Sequence, residues 1–258
     1  MEINLSFKES LAIGYKSKSQ KARRLTEGWI LDNLYCPRCG NLKLQHSDNN
    51  AAVSDFYCLN CNNTFELKSK SRAIGNRFVN GAYDTMIQRI TSNTNPDFLF
   101  MSYCQNELKL ENLLLIPKHF FVPDIIEKRK PLSPCARRSG WTGCNIFIGK
   151  IPEQGRIYII RNKNIIPKQT VMALVSRSNT LVIEDIENRG WIMDVLYCIN
   201  SINCDTFSLK QIYEFESYLA IKHPDNHNIK AKIRQQLQLL RDKGHIEFLG
   251  NGQYRKIV

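Results

Sequence analysis

The chain has 258 residues, a formal net charge of +12 and an isoelectric point near 9.3. This basic balance favours an anionic partner, nucleic acid before a membrane surface. No stretch approaches the ~18 consecutive apolar residues of a membrane span, and the N-terminus lacks a signal-peptide pattern. The nine cysteines form no secreted disulfide framework. The sequence therefore predicts an intracellular protein of the bacterial cytoplasmic type, without membrane contact.

Near the N-terminus, residues 16–24 form a basic run, and the apolar spacing from Leu25 to Leu34 predicts a helix. The basic run is compatible with a solvated face and with contacts to DNA phosphates. Four cysteines follow, with the spacing C-x2-C-x18-C-x2-C of a structural zinc site: Cys36, Cys39, Cys58 and Cys61. Four thiolates leave zinc no open coordination position, so the predicted ion is structural.

The second C-x-x-C lies between Asp55 and the tripeptide Glu66-Leu67-Lys68, the residue set of a metal-dependent nuclease. If Cys58 to Cys61 form the tip of a hairpin, positions whose numbers sum to 121 face each other, as Asp55 and Glu66 do. Lys68 then projects from the same face. Carboxylate oxygens suit Mg2+, which also binds substrate phosphate. We therefore expect a cation site held in place by a zinc-closed hairpin.

A second Glu-x-Lys, Glu107-Leu108-Lys109, follows Pro96-Asp97 and matches the motif string better. Residues 98–103 and 108–116 are predicted as two strands joined by a polar turn, which places Asp97 and Glu107 at opposite ends. At about 3.3 Å per residue along a strand, the two carboxylates are too far apart to share a cation. The mixture of strands and helices around them predicts an α/β or α+β core.

The flanking segments carry further predictions. A helical pattern follows Gly75 through Ala82, Met86 and Ile90, and Asn76, Arg77 and Asn80 are candidates to line the cleft. Residues 129–145 are predicted to form a loop. Arg137, Arg138 and Trp141 are candidates to contact DNA there; the alternative is that the tryptophan anchors the loop to the core. Residues 156–160 are predicted as a strand, and residues 162–180 as a polar linker.

From residue 184 the pattern is that of a winged helix, with three helices followed by a hairpin. Ser208-Leu209-Lys210-Gln211 is a capping box that opens the second helix. The third helix, which is the usual major-groove reader, has an apolar face from Ile229 to Leu240 and ends at Gly244. The predicted DNA-binding residues of this region are Lys230, Arg234, Gln235, Gln238, Arg241 and, on the wing, Arg255. A winged helix used for protein contacts is the alternative.

With the cysteines, Asp55, Glu66, Lys68, loop 136–145 and helix 232–238 together, the chain resembles the DpnI family of methyl-directed restriction endonucleases over essentially its whole length. The resemblance implies a PD-(D/E)XK nuclease domain with embedded zinc over residues 1–183 and a winged-helix domain over residues 184–258. Ser54 departs from the proline that is common before the aspartate, but this residue is not a ligand.

The resemblance also implies an activity. The expected enzyme is a monomeric type II endonuclease that cuts double-stranded DNA at GATC sites with N6-methylated adenine. Asp55, Glu66 and the Leu67 carbonyl would hold Mg2+, and Lys68 would assist the attacking water. The opposed hypothesis is a transcription regulator with zinc and a winged helix, which would bind DNA without needing Asp55 or Glu66.

Overall fold

The computed structural model describes residues 3–47, 54–92 and 94–257. The chain divides into two compact units, the first formed by Met1–Gly149 with Gln154–Asn179 and the second by Lys150–Glu153 with Thr180–Val258. The domain boundary at residue 183 stays a prediction. Within the described residues, no helix combines the length and the apolar character needed to cross a membrane.

The first unit is a mixed α/β fold. Its described helices are α1 (Lys18–Asn33), α2 (Tyr83–Ile90) and α3 (Lys168–Asn179). Its described strands are β1 (Gln45–His46), β2 (Phe56–Tyr57), β3 (Thr64–Lys70), β4 (Arg77–Ala82), β5 (Asp97–Cys104), β6 (Lys109–Ile116), β7 (Ile126–Lys128), β8 (Gly143–Phe147), β9 (Ile157–Arg161) and β10 (Asn164–Ile165).

A seven-stranded sheet with the order β1-β2-β3-β5-β6-β9-β10 organises this unit. Strands β3 and β5 run parallel, and the other neighbours are antiparallel. One face of the sheet is covered by α1 and α3. Leu25, Trp29 and Ile30 of α1 are buried there, as the helical spacing predicts. The helix begins earlier than its apolar pattern, at Lys18, so most of the basic run lies on its first turns.

The other face of the sheet carries an aromatic layer and a smaller sheet with the order β4-β8-β7. Phe78 of β4 packs on Phe100 of β5 with ring centroids 4.6 Å apart, and Phe98 packs on Phe121 at 4.4 Å. The predicted helix after Gly75 is therefore wrong for residues 77–82. These residues pair with β8 and bury Phe78 instead, and only residues 83–90 are helical.

The predicted linker over residues 162–180 is also wrong. This segment contains β10 and then α3, whose Val171 and Val175 are 0% and 1% exposed and belong to the core of the first unit. These valines are four residues apart, so they lie on the same side of the helix. Most other residues of α3 are solvated, which explains why the segment appears polar in sequence.

The second unit has the predicted winged-helix order. Its described helices are α4 (Ile186–Ser201), α5 (Leu209–Tyr213), α6 (Glu216–Lys222) and α7 (Ile229–Asp242), and its strands are β11 (Thr206–Ser208), β12 (Ile246–Gly250) and β13 (Gln253–Lys256). The capping box at Ser208 and Gln211 is confirmed by both of its hydrogen bonds. The predicted second helix is interrupted between Tyr213 and Glu216, so it forms two short helices.

The core of this unit is built from the predicted helical faces. Ile192, Val195, Leu196 and Ile199 of α4 and the apolar side of α7 are buried. Gly244 follows α7 with a φ of +74°, a left-handed conformation that ends a helix readily when the residue is glycine. Strands β12 and β13 form the expected hairpin, and β11 adds a third strand beside β13.

The reassignment of residues 168–179 as a packed helix gives a stability prediction. Val175→Ala removes two buried carbons and should lower the free energy of unfolding by about 2 kcal/mol. Leu174→Ala is the matched control, because Leu174 is 42% exposed on the same helix and should change stability little. Urea denaturation measures both variants, and equal, small effects would mean that α3 is not part of the core.

Candidate active site and metal centre

The four predicted zinc ligands converge on one point. The sulfur atoms of Cys36, Cys39, Cys58 and Cys61 all lie within 4.8 Å of one another. The Cys36–Cys61 and Cys39–Cys58 sulfur pairs are each 3.6 Å apart. A zinc ion with bonds of about 2.3 Å to a tetrahedron of thiolates places those sulfurs about 3.8 Å apart. The donor set and its spacing therefore fit a structural zinc ion.

The two C-x-x-C loops have the same backbone geometry. In the first, Gly40 N–H donates to the Cys36 carbonyl at 2.9 Å. In the second, Asn62 N–H donates to the Cys58 carbonyl at 2.8 Å. Gly40 and Asn62 both have positive φ angles, +75° and +56°, directly after the second cysteine of each loop. Glycine and asparagine tolerate this conformation best, so each loop ends in a residue suited to its turn.

The thiols differ in acidity because their surroundings differ. Burial raises the pKa of Cys36, whose side chain lies inside the core. For Cys39, burial favours the neutral thiol, but hydrogen bonds from Asn60 and from the backbone of Asn41 outweigh it and lower the pKa to about 6. At neutral pH this loop therefore offers a ready thiolate, the form that binds zinc.

Asp97, part of the second motif in the sequence, ties both cysteine loops to the central sheet. It is completely buried at the start of β5. Arg38 of the first loop donates to it from Nε at 2.5 Å and from Nη2 at 2.8 Å, and Asn63 after the second loop donates to it at 2.8 Å. Lys118 N–H adds a fourth hydrogen bond at 2.8 Å. A carboxylate saturated in this way is a structural anchor.

Glu107, the other acidic residue of that second motif, lies far from these groups. It forms an exposed ion pair with Lys163 at 3.1 Å. The described positions of Asp97 and Glu107 therefore agree with the prediction that this motif copy makes no cation site.

The hairpin between β2 and β3 has the predicted register. Phe56 lies opposite Phe65, and Tyr57 lies opposite Thr64, so the paired positions sum to 121. Asp55 departs from the expected arrangement, because its amide donates to the Phe65 carbonyl at 2.9 Å and the residue precedes the strand. Asp55 and Glu66 are therefore not a direct cross-strand pair.

The Asp55 carboxylate turns instead towards the Leu67 peptide. Its Oδ2 accepts a hydrogen bond of 2.8 Å from Leu67 N–H, next to Glu66 in the chain. Because the N–H and C=O groups of one strand residue point to the same side, the Leu67 carbonyl faces Asp55 as well. Asp55 thus binds the residue that separates Glu66 from Lys68 in the strand. These hard oxygen donors fit Mg2+.

Glu66 and Lys68 lie on the aromatic face of the sheet, since they align with Phe98 and Phe100 in the parallel register of β3 and β5. Glu66 is 8% exposed. Its Oε1 is 2.5 Å from Lys68 Nζ, and its Oε2 accepts from Nη1 of Arg89 on α2. Arg89 was missed in the sequence, because it is 23 residues from Glu66 and belongs to no motif.

The smaller sheet brings further groups near this carboxylate. Cys144 of β8 is buried, which raises the pKa of its thiol to about 11 against the opposing influence of the Lys68 and Arg129 charges. Asn80 of β4 lies opposite Cys144 and donates to the sulfur of Met86 at 3.2 Å. Of the other predicted cleft residues, Arg77 pairs with Glu127 at 3.4 Å, and the Asn76 carbonyl accepts from Gly149 N–H at 3.3 Å.

Trp141 lies on the loop before β8, together with the exposed Arg137 and Arg138. The loop is closed by a hydrogen bond from Leu132 N–H to the Trp141 carbonyl at 2.9 Å. The indole ring is half-buried over Gly143, where an added Cβ would lie 2.9 Å from the ring. The tryptophan therefore packs on its own loop, and part of the ring remains exposed.

All six predicted DNA-binding residues of the second unit are exposed: Lys230, Arg234, Gln235, Gln238 and Arg241 on α7, and Arg255 on β13. Three of these cations have acidic partners, namely Glu216 for Lys230, Asp242 for Arg241 and Glu247 for Arg255. Exposed ion pairs contribute little to stability, so these partners hold the cations only weakly. Arg234 donates to the Tyr213 hydroxyl at 2.8 Å.

A mixed α/β unit with an embedded four-cysteine cluster, followed by a unit of helix-turn-helix type, defines a class of DNA-processing proteins. The comparison with known families gives the particular one. Residues 3–184 match the DpnI, or Dam-replacing, family, and residues 187–256 match its Dam-replacing HTH domain. The chain belongs to this family, which supports a methylation-dependent restriction endonuclease and bears out the resemblance stated from the sequence.

The cysteine cluster gives a prediction about metal content and stability. Protein purified without chelator should contain about one zinc per chain, and Cys58→Ser should lose it. The variant should be destabilised by more than about 3 kcal/mol, because the energy of binding structural zinc is folding energy. Cys135→Ser is the control, since Cys135 is exposed and lies outside the cluster. Elemental analysis and thermal melting measure both effects. Wild-type protein without zinc would contradict this assignment.

Proposed function

We propose that the chain is a type II endonuclease that hydrolyses double-stranded DNA at GATC sites with N6-methylated adenine, with Mg2+ as cofactor. The observation that carries the proposal is the cluster around the Leu67 peptide. There Asp55, Glu66 and Lys68 gather at one end of the zinc-closed hairpin, in a chain of the DpnI family. The proposed enzyme acts inside the cell, in keeping with its free cysteines.

In this proposal, Asp55, Glu66 and the Leu67 carbonyl hold the cation. Mg2+ held by these oxygens would supply an activated water molecule and neutralise charge on the scissile phosphate. Asp55 is held in place by the Leu67 amide, and Glu66 by the fixed register of β3. Their positions are set before the cation binds, which lowers the reorganisation that the reaction requires.

Lys68 is the residue proposed to act on the water. Its ammonium group already contacts the Glu66 carboxylate, at 2.5 Å from Oε1, so it borders the proposed cation site. As an ammonium group it orients the attacking water and stabilises the negative charge that develops on the phosphate. Only its neutral amine form would accept the proton of that water. Its side chain is 23% exposed, which leaves access from solvent.

Base reading is assigned to two surfaces. On α7, the exposed Arg234, Gln235, Gln238 and Arg241 suit the major groove, where arginine pairs with guanine and glutamine with adenine. Lys230 and Arg255 are assigned to phosphates. In the first unit, the exposed part of the Trp141 ring is proposed to contact the adenine methyl group, with Arg137 and Arg138 on the backbone of the DNA.

The transcription-regulator hypothesis is not favoured. A protein that only binds DNA gains nothing from an acidic side chain that is 10% exposed and has two cations beside it. Burial of a charged group costs free energy unless it is compensated, so such a cluster is expected at a site with a chemical role.

The catalytic assignment predicts a separation of cutting from binding. Asp55→Ala and Glu66→Ala should each lower cleavage of methylated GATC duplex by at least about a thousandfold, because a ligand of the cation is lost. Affinity for the duplex in the presence of Ca2+ should change little, because no reading surface is altered. Gel assays of cleavage and fluorescence anisotropy of binding give the two quantities.

Glu107→Ala is the matched control for that experiment, because Glu107 belongs to the second Glu-x-Lys sequence and forms an exposed ion pair. It should cut at the wild-type rate. Normal turnover by either Asp55→Ala or Glu66→Ala would rule out the proposed cation site. Loss of activity in Glu107→Ala would point to the other motif.

The assignment of Trp141 predicts a change in discrimination. Trp141→Ala should lower cleavage of methylated sites and reduce the ratio of methylated to unmethylated cutting, because the apolar contact with the methyl group is lost. Trp141→Phe keeps an aromatic ring over Gly143 and should retain most of that ratio. A thermal melt accompanies both assays. If Trp141→Ala unfolds, or stays folded with the wild-type ratio of methylated to unmethylated cutting, the ring serves as a loop anchor and not as a reader.

A further inference from the structure

Arg89 contacts the carboxylate on which the proposed cation site depends. It lies in the last turn of α2, a short helix fixed to the unit by the buried side chains of Met86 and Ile90. Its Nη1 donates to Glu66 Oε2, and its side chain is only 16% exposed. Arg89 therefore reaches β3 from a different element, across the aromatic face of the sheet.

The surroundings of Glu66 explain why a cation is needed there. Both carboxylate oxygens are engaged by positive groups, Oε1 by Lys68 and Oε2 by Arg89. A second carboxylate, that of Asp55, lies one peptide away and is bound by the Leu67 amide. A buried carboxylate is costly unless positive charge is supplied beside it.

Lys68 and Arg89 are not equivalent in this cluster. Lys68 is two residues from Glu66 on the same strand, so its contact with the carboxylate does not depend on the position of α2. Arg89 lies on α2 and donates to Oε2, the Glu66 oxygen that is not paired with Lys68. Because Lys68 on the same strand holds Oε1, Oε2 is the oxygen that we assign to an entering cation. A divalent cation bound by both Asp55 and Glu66 therefore competes with the Arg89 guanidinium.

We propose that Arg89 is a positioning residue that holds Glu66 in the metal-free enzyme and yields Oε2 to the entering divalent cation. This inference rests on the proposed cation site at Asp55 and Glu66. The guanidinium compensates the charge of the buried carboxylate and fixes its orientation through Oε2. The same charge weakens cation binding, because it must be displaced.

The test is a titration of the full-length, zinc-loaded protein with Mn2+, in which the free ion is followed by electron paramagnetic resonance. Arg89→Met keeps the length of the side chain and removes its charge. It should bind Mn2+ about tenfold more tightly than the wild type, since the cation no longer has to displace the guanidinium from Glu66 Oε2. Arg89→Lys keeps the charge and should remain within about twofold of the wild type.

A second pair of proteins separates the electrostatic effect from a general change in α2. In Glu66→Gln, the oxygen that Arg89 holds is no longer charged, so adding Arg89→Met should leave the Mn2+ affinity unchanged. A purely structural role of Arg89 would give the same change with and without Glu66. Thermal melts show whether each variant is folded, and Arg89→Gln takes the place of Arg89→Met if that variant does not fold.

The possible failures are distinguishable. If wild-type protein binds no Mn2+, or Asp55→Ala binds it equally well, the proposed cation site fails and this inference fails with it. If the wild type binds Mn2+ at the site but Arg89→Met binds with equal or lower affinity, the cation site stands and the role of Arg89 is refuted. Tighter binding in Arg89→Met that disappears in the Glu66→Gln background supports the proposal.

Discussion

The hairpin between β2 and β3 is the constraint on which the rest of the site depends. Its tip is the second cysteine loop, and its two short strands are aligned by the pairs Phe56–Phe65 and Tyr57–Thr64. Two-stranded ribbons of this length are not stable alone. The cysteine cluster closes the tip, and Asp97 binds Arg38 and Asn63 on either side of it. The cysteine cluster, the buried ion pair and the sheet together fix where Asp55 and Glu66 lie.

The polar groups of this region have two different roles that look alike in sequence. Asp97 is fully buried and accepts four hydrogen bonds, so its charge is entirely used in holding the fold. Glu66 is also buried, but both of its partners are side chains, those of Lys68 and Arg89. A carboxylate bound only by side chains can exchange partners at low cost. A carboxylate bound by backbone, amide and a bidentate arginine cannot.

The sequence predicts those features that local geometry determines. The C-x-x-C spacing predicts the position of the hairpin tip. The tip in turn predicts which residues of β2 and β3 face each other. Local spacing also predicts the apolar faces of α4 and α7 and the capping box at Ser208. The departure of Asp55 from the ladder is not predictable in this way. It arises because the Asp55 carboxylate accepts a hydrogen bond from the Leu67 amide.

The remaining errors arise from contacts that are distant in the chain. Residues 77–82 form a strand because β8 pairs with them about sixty residues later. Helix α3 buries only a narrow side, with Val171 and Val175 among polar neighbours, so its amphipathic pattern is weak. Arg89 reaches Glu66 only through the packing of α2 on the sheet. No spacing rule in the sequence brings these residues together.

The most direct measurement is the rate at which the full-length, zinc-loaded protein cuts two duplexes of identical sequence in Mg2+. One carries a GATC site with N6-methylated adenine on both strands, and the other carries the same site without methylation. We expect cleavage of the methylated duplex at GATC and a rate at least about a hundredfold lower for the other, from the loss of the proposed methyl contact with Trp141. Equal rates for the two duplexes, or cutting of neither, would contradict it.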